Sequence, residues 1–137
     1  MSKIYDTIIQ TMDELEMHYQ LDDEHKIVDL NVQCDTAAYR IRFAAMEEQE
    51  VLYCFAIFPL NVPESKRQAM CELINAINYD SLIGTLTMDP DDGQIVCRTN
   101  TSVDEGVVNP TIVKVALNTS FRILEDNYPA ILKILAA

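Results

Sequence analysis

Two histidines, four cysteines and a run of aspartates are the residues with the best claim to chemistry, and none stands at a spacing that performs it. A nucleophilic Cys–His pair needs its base within hydrogen-bond reach. Nothing in the sequence draws His18, on the polar side of a helix, or His25, behind an acidic cluster, toward a thiol. Cys34, Cys54, Cys71 and Cys97 form no CxxC pair and have no histidine at ligand spacing, so zinc has no donor set. Asp89, Asp91 and Asp92 carry the oxygen ligands that calcium prefers. An EF-hand loop, however, wants glycine at its sixth position and glutamate at its twelfth. Gly93 comes one place early and Thr101 lies near the place of the glutamate, so turn chemistry accounts for the acids. Asp13, Glu14 and Glu16 fall on the outer side of a helix, where a solvated face explains them. There is no glycine-rich phosphate loop, GxSxG elbow or HExxH pair. These residues predict a chain that is not an enzyme and takes no cofactor or metal.

The composition narrows the alternatives. With 137 residues, of which 49 % are hydrophobic, one domain spanning 1–137 with an ordinary core is expected. Ten basic against 22 acidic residues leave a net charge of -12. Nucleic-acid and anionic-membrane affinity rest on clustered Lys and Arg, and here the cations are scattered. An acidic surface favours solubility and cationic partners. No apolar run approaches the roughly 20 residues of a bilayer span. The N-terminus, with Asp6 and no basic-then-apolar pattern, does not read as a signal peptide. Reduced, buried thiols in a cytoplasmic protein fit four cysteines at this density.

Periodicity then places the elements. Ile4, Ile8, Met12, Leu15 and Tyr19 share one face of a helix over about Lys3 to Tyr19, with Ser2 as its cap. Val28 to Cys34 and Tyr39 to Ala45 alternate as half-buried strands. Val51 to Phe58 is apolar on both parities, which predicts a central strand covered on both faces. Pro63 suits the first position of a second helix, whose stripe is Met70, Leu73, Ile74 and Ile77 and which ends near Asn78. A strand from Leu82 to Met88 follows, with Gly84 marking a bulge or close backbone approach. The turn Asp89–Gly93 closes on a positive φ at glycine, and the strand Ile95–Thr99 returns. After a loop from Ser102 to Asn109 that holds Gly106, Asn109 caps and Pro110 opens a third helix, interrupted at Asn127-Tyr128-Pro129. The order α-β-β-β-α-β-β-α predicts an α+β fold on a five-stranded antiparallel sheet with helices packed on it.

Within that order, Asn75-Ala76-Ile77-Asn78-Tyr79, Gly84, and Asp92-Gly93 followed by Ile95 and Arg98 resemble the YbjN family of small bacterial proteins. An aromatic residue is frequent two places after the strand glycine in that family; Leu86 stands there instead. The resemblance implies a fold similar to the class I chaperones of type III secretion. It also implies a sensory-transduction regulator without a defined reaction, a homodimer, and binding of a protein client. Residual apolar surface is the expected means. Met70, Ile74, Leu82, Ile83 and Leu86 are the candidate partner or dimer surface. A secretion-type chaperone, which would also use strand addition, is the alternative role; a hydrolase or metal-dependent enzyme ranks third.

Overall fold

The computed structural model describes residues 3–103 and 107–137. Ser2 and Gly106, to which a cap and a loop position were assigned, lie outside them. The element order is α1 (Lys3–Glu14), β1 (Tyr19–Asp22), β2 (Ile27–Gln33), β3 (Ala38–Met46), β4 (Val51–Asn61), a 3-10 turn (Glu64–Lys66), α2 (Arg67–Asp80), β5 (Thr85–Met88), β6 (Gln94–Ser102) and α3 (Pro110–Ala136). All pairings are antiparallel, in the order β1-β2-β3-β4-β6-β5.

The sheet thus has six strands rather than five, and the extra one starts at Tyr19, where the first helix was expected to end. That helix stops at Glu14 because Glu16 takes a positive φ of 56°. The Met17 N–H then donates to the Met12 carbonyl and the Glu16 N–H to the Asp13 carbonyl, both at 3.0 Å. This pair of bonds is a Schellman stop, built on a glutamate where glycine is usual, and so it leaves no glycine to read in the sequence. Leu15 ends up 40 % exposed, and Tyr19 opens β1 opposite Leu30.

Two further boundaries differ from expectation. Pro129 does not interrupt α3, which runs unbroken to Ala136. Ile131 is fully buried beyond it and Tyr128 packs on Phe58 with ring centroids 5.5 Å apart, so tertiary contacts hold the proline turn in place. β5 starts at Thr85, not Leu82, since Gly84 has a φ of +88° and sits under α3, where a Cβ would lie 2.8 Å from Ile123 Cδ1. The close approach read from Gly84 is therefore present, one residue ahead of the strand.

All three helices contribute to one core on one side of the sheet. Ile8, Met12, Val28, Phe43, Leu52, Cys54, Leu86, Ile95, Cys97, Val113 and Leu124 pack there. Burial pushes the Cys54 and Cys97 thiols up to about 12, which keeps them protonated and inert. Cys71 departs from the expectation of buried thiols: it is exposed on α2. The far half of α3 is tied to β3 by one carboxylate. Glu125 accepts from the Thr36 N–H at 3.0 Å, from the Tyr39 hydroxyl at 2.8 Å, and from the Thr36 hydroxyl.

Candidate functional site: the open face of the sheet

Among the described residues every helix lies on one side of the sheet, and its other face has no covering layer. β4 shows it best. Leu52, Cys54, Ala56 and Phe58 are buried under the helices, whereas Val51, Tyr53, Phe55 and Ile57 are only half-buried. The two-sided apolar pattern was expected to mean cover on both faces. The strand is central, between β3 and β6, but its second apolar stripe faces outward.

The register lines this stripe with arginine. One row across the sheet runs Asp29, Arg42, Phe55, Arg98 and Thr85. The adjacent row runs Asn31, Arg40, Ile57, Val96 and Thr87. The next row on the other side holds Ile27, Ala44, Tyr53 and Asn100. Tyr53 and Phe55 stack with centroids 5.7 Å apart and planes 3° from parallel. Arg42 grips Asp29 through two hydrogen bonds, at 2.8 and 3.0 Å. Arg40 and Arg98 are exposed, and among the described residues neither has an ion-pair partner. A shallow depression beside them is lined by His18, Asn31, Arg40 and Ile57.

Among the described residues, those with chemical potential do not converge here or elsewhere. His18 lies at the rim of the open face, in the segment after α1 rather than on it. His25 is exposed and pairs with Asp22 at 2.8 Å. Asp89 and Asp92 are occupied by the turn, accepting from the Asp91 and Gln94 amides at 2.8 and 2.9 Å. Of the five residues expected at a partner surface, the structure divides two from three. Leu82 is 96 % and Ile83 55 % exposed, beside an 88 % exposed Tyr79 at the end of α2. Met70, Ile74 and Leu86 are buried in the monomer core, since α2 turns that face onto the sheet edge and α3.

Most of the motif residues behind the family resemblance turn out to build this corner. The Asn78 side chain accepts from the Leu86 N–H at 2.8 Å and donates to the Leu86 carbonyl at 2.9 Å, so it imitates a neighbouring strand on the outer edge of β5. The Ser81 hydroxyl donates to the Gly84 carbonyl at 3.1 Å. We expect Asn78→Ala to lose about 1.5 kcal/mol, read as a lower urea midpoint at unchanged slope, because two backbone groups lose their partners. Arg98 is different: its side chain points to solvent on the open face.

The match to a family model decides the affiliation: the YbjN model, described as "Putative bacterial sensory transduction regulator", covers residues 5–133. The chain belongs to the YbjN family. A crystal structure of YbjN from E. coli, "a putative transcription regulator", superposes with a TM-score of 0.64 over 92 % of each chain at 21 % identity. A chain of the HopA1–SchA chaperone–effector complex superposes with a TM-score of 0.59 over 90 % of this chain and 91 % of that one, at 17 % identity. The YbjN-family chain therefore has an α+β fold like that of the chaperone complex. No curated protein sequence matches significantly. Among the described residues no helix is long and apolar enough to cross a membrane.

Arg40, Arg42, Arg98, Tyr53 and Phe55 were not singled out as a site from sequence. Their signal was present as strand alternation: Arg40 and Arg42 interleave with buried Tyr39, Ile41 and Phe43. Convergence, however, depends on register between strands distant in sequence, which alternation within one strand does not encode.

Proposed function

We propose that this YbjN-family chain is a non-enzymatic, cytoplasmic regulatory domain that works by binding protein, as a homodimer. The observation that carries the reading is the uncovered apolar stripe of β4, a surface of the kind that marks interaction sites. The exposed Tyr79, Leu82 and Ile83 corner supplies a second apolar patch, suited to the dimer contact. Among the described residues the histidines, thiols and acids are scattered and give catalysis no convergent set. A second reading, chaperoning of a secreted client, draws on the likeness to the chaperone–effector complex.

Sedimentation at micromolar concentration tests the dimer. We expect a two-chain species that Leu82→Ser/Ile83→Ser converts to monomer; a monomeric parent chain rules the dimer out. Affinity capture from the native host separates regulator from chaperone. A single dominant secreted protein supports chaperoning, and non-secreted partners support regulation.

A further inference from the structure

We propose that the open face of the sheet docks an acidic peptide segment that also carries apolar side chains. Its apolar residues would rest on Tyr53, Phe55 and Ile57, and its carboxylates would be held by Arg40 and Arg98. This deepens the protein-binding reading and rests on it, and what it adds is the chemistry of the partner.

Charge complementarity is the main argument. The chain has 22 acidic and ten basic residues. Yet the strand positions of the open face hold three of those cations, all arginine, against two of the acids, Asp22 and Asp29. Both acids are already engaged, Asp29 with Arg42 and Asp22 with His25. The exposed guanidiniums of Arg40 and Arg98 are therefore left over on an otherwise acidic molecule. Arginine is the side chain best suited to fork onto a carboxylate at an apolar site, because its planar group is weakly hydrated and donates in pairs. Sheet geometry sets the spacing. Arg40 and Arg98 lie on β3 and β6 with β4 between them, one row apart on the face, so their Cα atoms are about 12 Å apart. An extended segment with acids four residues apart, at about 13 Å, matches that distance.

Two other occupants fit less well. A second copy docked on this face about a two-fold axis would set the face against itself, arginine against arginine, with only the turn acids Asp89 and Asp91 at its rim to pair them. Nucleic acid needs many phosphate contacts to hold, and two unpaired arginines on a chain of net charge -12 do not provide them.

The test uses fluorescein-labelled twelve-residue peptides, three repeats of Glu-Ser-Leu-Ser (the Leu-Glu peptide) or of Lys-Ser-Leu-Ser (the Leu-Lys peptide), which put the charges four residues apart with leucine between them on the same face of an extended chain; they are titrated with the full chain and read by fluorescence anisotropy. Bulk charge favours the Leu-Lys peptide, so saturable, tighter binding of Leu-Glu supports the face. Arg40→Glu and Arg98→Glu are each expected to weaken that binding at least tenfold. Phe55→Ser should do the same, Arg98→Lys should weaken it less than Arg98→Glu because the charge stays while the paired donation is lost, and Lys114→Glu on α3 should leave it unchanged. Circular dichroism checks that each variant is folded. No saturable Leu-Glu binding, tighter Leu-Lys binding, equal weakening by Lys114→Glu, or equal competition by a twelve-nucleotide oligothymidine overturns the proposal. If host capture of a partner persists undiminished in Arg40→Glu/Arg98→Glu, this docking site falls while the protein-binding reading stands. If the parent chain captures nothing, that reading itself falls.

Discussion

Gly93→Ala is expected to destabilise the fold by about 3 kcal/mol, lowering Tm by roughly 10 °C in a chain of this size. Two costs combine. The residue sits at a φ of +76°, where a side chain is strained, and an added Cβ would fall 2.1 Å from the Val62 carbonyl oxygen and 2.9 Å from the Val62 nitrogen. Those neighbours are backbone and cannot swing aside. They are also fastened: the Val62 N–H donates to the Gly93 carbonyl at 2.8 Å, and the Arg67 side chain donates to both Val62 and Pro90 carbonyls at 3.1 Å. The turn between β5 and β6 would have to lift off the end of β4. Gly84→Ala is the instructive comparison. Its φ is as unfavourable, but its nearest obstacle is the tip of Ile123, so the loss should be smaller. Thermal melts of both variants decide it; equal shifts would show that backbone strain alone, rather than the clash with Val62, sets the loss.

Glu125→Ala is expected to lose about 2.5 kcal/mol at neutral pH, mostly because the Tyr39 hydroxyl loses its charged acceptor and keeps only the Thr36 hydroxyl, 3.5 Å away. Tyr39 is fully buried and its hydroxyl reaches Glu125 at 2.8 Å. Tyr39→Phe in the same chain should restore much of the loss, since no buried donor then remains. The pH dependence follows from the carboxyl. Burial alone would raise it, but the hydrogen bonds from Thr36 and Tyr39 outweigh burial and hold it below its ordinary 4.5. A depressed carboxyl stabilises the fold above its unfolded value, and that contribution fades as pH falls through the folded one. The gap between parent and Glu125→Ala should therefore narrow in acid below about 4.5. A gap that stays constant from neutral to acid would contradict the charged-acceptor role. Urea unfolding across that range measures it.

These two positions also show where the sequence could and could not be read. Gly93 was legible, since Asp-Pro-Asp-Asp-Gly announces its turn through local chemistry, and the strand flanks confirm it. Gly84, Pro110 and the Asn109 cap were legible for the same reason; the Asn109 side chain accepts from the Ile112 N–H at 3.0 Å. The link from Glu125 to Thr36 and Tyr39 spans nearly ninety residues, and no local pattern points to it. The stop of α1 was missed because a glutamate holds the left-handed position, and β1 was missed with it. At the candidate site, periodicity identified the apolar stripe of β4 but not which of its faces the helices would leave bare. Met70, Ile74 and Leu86 were read as surface candidates because apolar side chains beyond the needs of the core were expected to meet a partner, although the stripe that contains them is the one that packs.

The carboxamide of Asn78 has a wider consequence. β5 is a terminal strand of four residues, and its outward groups at Leu86 are already satisfied by this side chain. Strand addition is thus blocked at Leu86, and the margin left for it is the opposite one, along β1. Backbone pairing through a single margin closes after two members and cannot propagate into a filament, while the apolar corner beside Asn78 is left to side-chain contact.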